Sequence, residues 1–565
     1  MKCTPDGGGW GNGEGKADYT VYYYAQFSKP LADYGFWSAD IPEGWVRKRD
    51  EVVSIPYLTR VSQAPVIKDK KELEGKHLGF FTEFPTKEGE TVEMKVGISF
   101  VDMEGAANNF KQEIASKDLE QVKKEATDLW NKELSRIRIS GGTEDEKTIF
   151  YTAMYHTMID PRIYTDVDGR YVGGDYKIHT TDSAFTKRTI FSGWDVFRSQ
   201  FPLQTIINPC LVSDELNSLI SMAEQSGREY YERWEFLNSY SGCMLGNPAL
   251  SVLADAYVKG IRTYDVEKAY RYAVNTSRHF GNDSLGYIPE PLSISTTLEY
   301  AYTDWCISQV AQAMGKNEDA RYFYEKGQAY HNIFDKEKGW FRPRKADGSW
   351  VAWPENARLK EWYGCIEANS YQQGWFVPHD VSGMVELMGG KEKVIEDLIY
   401  FFSKTPSNML WNEYYNHANE PVHFVPFLFN QLAVPWHTQK WTRYTCEKAY
   451  ANKVEGIVGN EDVGQMSAWY VLAASGIHPS CPGNTRMEIT SPVFDKVEFA
   501  LDPAYYSGKK FTVIAHDNSV DNVYIQKALL NGKEYNKCYL DFTDIVSGGT
   551  LELFMGDTPN KEWGI

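Results

Sequence analysis

The sequence predicts a multidomain α+β protein in which an (α/α)6 toroid of helices lies between two β-rich regions. Three observations support this fold class: strand-like alternation near the N-terminus, helical periodicity from about residue 143 to 478, and strand-like alternation again after residue 480. The chain has 565 residues, which suits two or three domains better than one core. We expect a partial β-sandwich (1–110), a linker helix (111–140), the toroid (141–480) and a β-rich region packed on it (481–565).

The N-terminal region contains the runs "YTVYYYAQFS", "HLGFFTEFP" and "TVEMKVGISFV", which are typical of strands separated by polar or glycine-containing breaks. The first run alternates from Tyr19 onward, so we expect the chain to begin inside a sheet and to hold only part of the sandwich. Residues 108–134 then form a long polar run with a thin apolar stripe, which predicts the linker helix.

The central region contains about twelve helical stretches, separated by breaks that Gly or Pro marks. Consecutive helices pack as antiparallel hairpins, and six hairpins can close into a ring. The long connections 280–296, 336–379 and 405–423 are rich in Trp, Tyr, Asn and Glu. Long loops inside a compact domain are usually functional. In the β-rich region that follows, Asn531-Gly532 predicts a hairpin turn.

The composition argues against several function classes. The formal net charge is -18 and no run is rich in Lys or Arg, which argues against nucleic acid and anionic membranes as partners. No apolar run approaches the ~20 residues that a transmembrane helix needs. The eight cysteines include no C-x-x-C pair, so a zinc or redox site and a dense disulfide framework are both disfavoured. The 17 Trp and 37 Tyr suit sugar binding, although such rings mostly build cores.

The stretch "GNEDVGQMSAWY" (459–470) places two adjacent acids, Glu461 and Asp462, before an apolar helical run. Acids near a helix N-terminus favour the macrodipole and can cap free N–H groups. A carboxylate fixed at a rigid helix start is also suited to act as a general base or a metal ligand. Capping is the more common role of acids in such a stretch. The choice between capping and a catalytic or metal-binding role therefore depends on the other segments.

Two further segments hold an acid among aromatic residues. In "FSGWDVFRSQFPL" (191–203), Asp195 either caps the helix that it opens or, with Arg198, holds sugar hydroxyls beside Trp194. In "WYGCIEANSYQQGWFVPHD" (362–380), the acid is Glu367, and its role has two possible interpretations. It is either a surface loop residue or an acid whose aromatic surroundings raise its pKa and suit it to general acid catalysis.

A fourth segment, "NEYYNHANEPVHFVPFLFN" (412–430), places Asn419, Glu420 and His423 before an apolar helix. Asn and Glu oxygens are hard ligands that suit calcium, and capping is the alternative. A zinc site is disfavoured because His417 and His423 are six positions apart and no Cys is nearby. Since a toroid gathers helix ends at one face, the four segments together favour a shared pocket.

Five motifs carry a family resemblance: "FYTAMYHTMIDPRIYTDVDGRYVGGD", "GWDVFRSQFPL", "EANSYQQGWFVPHDVSGMVELMGG", "NEPVHFVPFLFNQLAVPW" and "GNEDVGQMSAWYVLAASGIHPSCPG". From about residue 20 to its C-terminus the chain resembles the glycoside hydrolase family 92 α-mannosidases. The resemblance implies an N-terminal β-sandwich, a helical linker and a catalytic (α/α)6 barrel. It also implies a calcium-dependent, exo-acting enzyme that inverts the anomeric centre and takes mannose-containing glycans.

The resemblance further implies a role for individual residues. Glu367 matches the family's general acid, and Asp462 matches its general base near the calcium. An inverting glycosidase needs both, with the carboxyls ~6.5–9.5 Å apart. Asn419 and Glu420 match the calcium-binding region, where Asp462 is the third expected ligand. We assign substrate binding to four residues: Trp194, Asp195, Arg198 and His423.

The sequence departs from the family pattern at two positions in these motifs and at its start. Many relatives carry a second acid where Asn460 stands, so Asp462 is expected to be the sole base. Asn247 replaces a common Asp, which is expected to affect a subsite. Relatives begin upstream of this chain, so we expect it to lack part of the sandwich. Two alternatives stay open: another toroid hydrolase acting on a different α-glycoside, and a non-catalytic carbohydrate-binding protein or inactive fragment. The family favours a periplasmic or secreted location, and monomer and homo-oligomer are both compatible with the sequence.

Overall fold

The computed structural model describes residues 2–3, 19–43, 54–281 and 283–565, which form two compact units. The first unit contains the described residues up to Lys123 together with Asp166–Arg170. The second contains Lys124–Thr165 and Tyr171–Ile565. The predicted region 1–110 extends over residues outside the described ranges, and the bounds of the four predicted regions stay predictions.

Two three-stranded antiparallel sheets build the first unit. In one sheet, Val21–Phe27 is the central strand and pairs with Lys2–Cys3 and with Met94–Ser99. In the other, Asp33–Ser38 is the central strand and pairs with Val66–Ile67 and with Leu78–Glu83. Helices run over Ser54–Ser62 and Met103–Glu113. At Gly97 an added Cβ would lie 2.3 Å from the carbonyl oxygen of Ala106, so the second helix contacts its strand directly. The β character predicted for this region is confirmed.

The continuous helix predicted over residues 108–134 is wrong. The structure has two helices there, Met103–Glu113 and Leu119–Leu134. The Asp118 carboxylate accepts a hydrogen bond from the Gln121 N–H at 2.8 Å, so it starts a new helix where the pattern had suggested continuity. No residue of the helix Leu119–Leu134 is buried, in keeping with its polar sequence.

Helices dominate the second unit, as the sequence predicts. The α-helices after Leu134 are Glu144–His156, Gly193–Val196, Gln200–Ile207, Pro209–Gln225, Pro248–Val258, Val266–Phe280, Ser293–Ala313, Asn317–Lys326, Ser370–Gln373, Val381–Leu387, Lys391–Ser403, Leu428–Gln431, Pro435–Lys448, Gln465–Ala474 and Phe542–Val546. Four 3-10 helices lie at Ala329–Ile333, Ala357–Leu359, Glu420–Val422 and Val425–Phe427. Every residue of Gln465–Ala474 is buried, because this helix is apolar on nearly all sides and belongs in the core.

Short strands occur between these helices, and longer ones follow them. The short strands are Arg162–Ile163, Arg170–Val172, Ile178–Thr180, Arg188–Thr189, Phe191–Ser192, Trp234–Phe236, Ser239–Tyr240, Phe334–Asp335 and Trp340–Phe341. A three-stranded sheet orders Ile477–Pro479, Arg486–Ile489 and Tyr539–Asp541. A six-stranded sheet orders Lys533–Glu534, Tyr524–Leu530, Gly549–Gly556, Lys510–His516, Lys496–Ala500 and Ile137–Ser140.

The predicted hairpin turn in this last sheet is confirmed. Leu530 pairs with Lys533, and the two residues between them, Asn531 and Gly532, have φ of 52° and 75°. Both values lie in the left-handed region that a two-residue hairpin turn requires.

None of the helices in the described part of the chain combines the length and the apolar character that a membrane crossing requires.

Candidate active site

Three carboxylates from distant parts of the chain meet in the second unit. Asp195 lies on the short helix Gly193–Val196, Glu420 begins a 3-10 helix, and Asp462 lies in the loop before Gln465–Ala474. Each offers an oxygen atom, and these atoms all lie within 4.8 Å of one another. The helix starts that the sequence pointed to therefore bring three of the predicted site residues together.

Two carboxylates of this cluster, Asp195 and Glu420, have buried oxygens without a hydrogen-bond partner. Glu420 is fully buried, and neither of its carboxylate oxygens has a hydrogen-bond partner. Asp195 accepts a hydrogen bond from the Ser192 hydroxyl through Oδ2, while its Oδ1 is buried without a partner. Burial raises the pKa of Glu420 and of Asp195 well above the usual range, and the charge of the neighbouring acids acts in the same direction.

A hard cation would satisfy these orphaned oxygens. Buried charges are normally paired or coordinate a metal, and carboxylate oxygens are the ligands that calcium and magnesium prefer. The residues present therefore fit a divalent cation held by oxygen. Asn419, predicted as a ligand with Glu420 and Asp462, donates its side-chain N–H to the carbonyl oxygen of Glu367 at 2.8 Å. This bond does not use the amide oxygen, and the role of Asn419 as a ligand stays a prediction.

Glu367 lies on the loop that leads into the helix Ser370–Gln373. Its side chain is half-buried, and its backbone has φ of 50°, in the left-handed region. The following Asn369 caps the helix by accepting from two backbone N–H groups. Burial, and then the charge of Asp462, raise the pKa of Glu367 above its usual value. This carboxyl group therefore favours its protonated form more than a solvated Glu does.

Asp462 stands at the start of an unusual backbone segment. It has φ of 48°, Val463 has 53° and Gly464 has 98°. A positive φ is rare for a β-branched residue such as Val463. Burial raises the pKa of Asp462, and the charge of Glu461 adds to this effect. Asp462 is half-buried, so its side chain is accessible from the cluster and from solvent.

Glu461, the neighbouring acid, supports the helix start. Its Oε1 accepts from the Ser467 backbone N–H at 3.2 Å, and its Oε2 accepts from the Ser467 hydroxyl at 2.7 Å. The Nδ1 atom of His156 lies 3.0 Å from the same Oε2. The two adjacent acids thus differ in environment: Glu461 is bound to the helix, and Asp462 belongs to the carboxylate cluster.

Arg198 lies in an aromatic box beside the cluster. Its guanidinium carbon is 4.7 Å from the ring centroid of Phe197, 5.1 Å from that of Trp194 and 5.2 Å from that of Phe376. Its Nε donates to the carbonyl oxygen of Trp194 at 3.0 Å, whereas Nη1 and Nη2 are buried without a hydrogen-bond acceptor. A buried guanidinium with free N–H groups is suited to bind oxygen atoms of a ligand.

The other two residues predicted to bind substrate are more enclosed. Trp194 is 2% exposed, and its indole N–H donates to Glu299 Oε1 at 3.0 Å. His423 is buried, with Nε2 3.1 Å from the carbonyl oxygen of His417 and Nδ1 3.1 Å from the Gln465 amide nitrogen. Burial lowers the pKa of His423 to about 3, so the ring is neutral. Direct substrate contact by Trp194 and His423 stays a prediction.

Two residues near the site escaped the sequence analysis. Glu299, on the helix Ser293–Ala313, lies 3.7 Å from Arg198 and accepts from Trp194. Burial raises the pKa of Glu299 to about 7. His156 holds Glu461 from the helix Glu144–His156. The sequence could have indicated Glu299, because it is an acid inside an otherwise mostly uncharged helical run. No feature of the neighbouring sequence indicated a role for His156.

Comparison with known proteins identifies the family to which such a site belongs. Residues 105–557 match the family model described as "Glycosyl hydrolase family 92 catalytic domain", and residues 3–99 match "Glycosyl hydrolase family 92 N-terminal domain". A domain of the second kind is therefore present in the chain. A curated relative from Arthroderma benhamiae, named "Uncharacterized secreted glycosidase", is 28% identical over 529 residues. The match covers 84% of this chain and 61% of that relative's length.

Solved structures agree with this assignment. The family GH92 α-mannosidase BT3965 from Bacteroides thetaiotaomicron, whose structure is also known in complex with mannoimidazole, has a TM-score of 0.85 and is 31% identical. The match covers 97% of this chain and 71% of that one. The family GH92 inverting mannosidase BT2199 from B. thetaiotaomicron has a TM-score of 0.85 and is 30% identical, with 98% and 75% covered. The predicted fold class is confirmed, and the chain belongs to glycosyl hydrolase family 92.

Proposed function

We propose that the protein is an exo-acting, calcium-dependent, inverting α-mannosidase that releases terminal α-linked mannose from glycans. The observation that carries this proposal is the buried carboxylate cluster beside Glu367, because Asp462 belongs to that cluster and its charge also raises the pKa of Glu367. The cluster thereby joins a cation site, a candidate base and a candidate acid in one place.

Glu367 and Asp462 divide the acid and base work. Glu367, whose pKa burial raises, would donate a proton to the glycosidic oxygen as the bond to the leaving sugar breaks. Asp462 accepts a proton from the water that attacks the anomeric carbon on the opposite face. That direct displacement inverts the α-mannoside to β-mannose.

Asp195, Glu420 and Asp462 would hold the cation, together with the side-chain oxygen of Asn419. A bound calcium ion would supply positive charge and coordination positions for sugar hydroxyls. The free Nη1 and Nη2 groups of Arg198 would donate to other oxygens of the same sugar. Together these groups would fix the terminal mannose before the acid and the base act.

Substrate and location rest on the relatives. The binding of mannoimidazole by BT3965 supports mannose-containing glycans as the substrate class. The name of the curated relative supports a secreted or periplasmic location. Both statements are proposals for this chain.

The decisive experiment measures hydrolysis of an aryl α-mannoside and of α-linked mannobioses, with added calcium and with a chelator. We expect calcium-dependent release of mannose, with β-mannose as the first anomer observed by NMR. Release of α-mannose would overturn the inverting mechanism. Binding of mannosides without any hydrolysis would overturn the enzyme proposal and favour a carbohydrate-binding protein.

A further inference from the structure

Two large aromatic side chains face solvent close to Glu367. Trp362 is 59% exposed and Trp411 is 52% exposed. Neither Trp362 nor Trp411 belongs to the hydrophobic core, to which many other aromatic residues contribute. Large apolar rings that face solvent can mark a surface that binds a ligand.

A hydrogen bond connects the Trp411 ring to the residue before Trp362. The indole N–H of Trp411 donates to Glu361 Oε1 at 3.1 Å, and Glu361 directly precedes Trp362 in the chain. The second indole is therefore oriented by the neighbour of the first. Asn412 stiffens the loop that carries Trp411, since its amide donates to the carbonyl oxygen of Leu410 at 2.9 Å.

Both loops are attached to the residues that follow Glu367. The Trp362 N–H donates to the carbonyl oxygen of Ala368 at 3.2 Å. The Asn369 amide donates to the carbonyl oxygen of Glu413 at 2.9 Å. Trp362 is thus itself hydrogen-bonded to Ala368, and Trp411 lies two positions before the Glu413 that is hydrogen-bonded to Asn369. Residues 368 and 369 directly follow the candidate general acid.

The backbone at Trp362 argues against a purely structural role. Its φ is 59°, a conformation that is uncommon for a bulky residue. Met409, before the second loop, has φ of 54° but is 1% exposed, so its side chain anchors that loop in the core. Trp362 has no comparable burial, so its unfavourable conformation serves to present the ring to solvent.

We propose that Trp362 and Trp411 form a stacking platform for the leaving-group side of the glycan, the sugars next to the terminal mannose. This rests on the proposed function. The terminal sugar occupies the pocket of buried groups, and the general acid protonates the bond that joins it to the remainder. The remainder must therefore extend past Glu367 toward solvent, where the indoles lie. Flat rings bury the C–H faces of pyranoses, and Glu361 offers its second carboxylate oxygen to hydroxyls.

The test measures binding in a Glu367→Gln background by calorimetry, which needs no turnover. The ligands are α-linked mannotrioses of each linkage and mannose itself. We expect Trp362→Ala and Trp411→Ala each to weaken mannotriose binding about tenfold, and to weaken mannose binding much less. Trp→Phe at either position should retain part of the affinity, because a flat ring remains.

Tyr176→Ala is the matched control. Tyr176 is 57% exposed and has φ of 60°, so it tests the loss of an exposed ring on a similar backbone. We expect it to bind mannotrioses as the parent does. Equal binding by the parent and the double Trp variant overturns the platform, as does a parent that binds no mannotriose. Failure of hydrolysis with intact, tryptophan-dependent binding would overturn the proposed function and leave the platform supported.

Discussion

Glu367 and Asp462 share an uncommon backbone conformation: their φ angles are 50° and 48°, both in the left-handed region. Left-handed backbone costs a non-glycine residue about 1–2 kcal/mol, so surrounding contacts must hold it. At Glu367 the carbonyl oxygen accepts from Asn419. At Asp462 the carbonyl oxygen accepts from the Gln465 N–H at 3.2 Å, and the neighbour Glu461 is bound to Ser467 and His156. Each candidate catalytic carboxylate is therefore fixed through its main chain.

Glu367→Gln removes the proton that the leaving oxygen needs. We expect kcat/KM for α-mannobiose to fall about a hundred- to ten-thousand-fold. A dinitrophenyl α-mannoside should lose much less, because its leaving group departs without protonation. Steady-state kinetics on both substrates would check this. An equal loss on the two substrates would contradict a general acid role for Glu367.

Asp462→Asn removes the base that activates water, and water attacks whichever leaving group departs. We therefore expect similar losses for the dinitrophenyl mannoside and for mannobiose, in contrast to the Glu367 variant. Because Asp462 also belongs to the cation cluster, the assay is run at saturating calcium. A variant that loses activity on mannobiose alone would contradict the assignment of Asp462 as base.

Glu420→Gln separates cation binding from folding. Both Glu420 oxygens are buried without partners, so without metal the charge is a burden on the folded state. We expect the variant to melt at a higher temperature than wild type in chelator. Calcium at about a hundredfold its Kd should stabilise wild type by about 2.7 kcal/mol and leave the variant nearly unchanged.

Magnesium and zinc serve as comparison ions in the same thermal denaturation experiment. Oxygen ligands alone favour calcium over zinc, so zinc should give a smaller shift in Tm. A calcium-induced shift that persists in Glu420→Gln would contradict the assignment of this residue as a ligand. The shift is read without any substrate, so it is independent of whether the protein is an enzyme.

Local sequence patterns predicted much of the fold because strand alternation and helical periodicity are properties of neighbouring residues. They failed where a single side chain or a distant partner decided the outcome. Asp118 divides an apparently continuous helix. The strand Ile137–Ser140 lies inside the range predicted as a linker helix, because its pairing with Lys496–Ala500 joins parts of the chain that no local window contains.

The candidate site shows the same limit. Asp195, Glu420 and Asp462 stood out because they precede helical runs, and the structure brings them together. Glu299 did not, since it lies in the middle of a helix and its importance comes from Arg198 and Trp194, far away in sequence. Polar residues that act by contacting other residues of the site cannot be identified without knowing their three-dimensional neighbours.

Glu299 orients Arg198, so changing it should disturb binding as well as stability. Glu299→Gln keeps an acceptor for the Trp194 indole but removes the charge opposite the guanidinium, and kcat/KM should fall mainly through KM. Glu299→Ala removes the carboxylate that lies 3.7 Å from the buried guanidinium and should cost about 3–5 kcal/mol of stability. Urea unfolding and kinetics would measure both. A stable, fully active Glu299→Ala variant would contradict this role.

His156 gives the protein a pH dependence that can be isolated. Its hydrogen bond with Glu461 raises the pKa of His156 above its usual value, although burial opposes this. Folded His156 thus holds its proton more tightly than the unfolded chain does. The pair therefore stabilises the fold fully below about pH 6.5, and the stabilisation is lost as pH rises through the raised pKa.

His156→Gln should lower Tm more at about pH 5.5 than at about pH 8.5, because the stabilisation by the pair is lost as pH rises. Because Glu461 precedes Asp462, the variant should also lower kcat, whereas KM should change little. His179→Gln, which removes a histidine 2.8 Å from Asp175, is the control for loss of a similar ion pair away from the carboxylate cluster. It should leave kcat unchanged. A Tm difference for His156→Gln that does not vary with pH would show that His156 acts through packing alone.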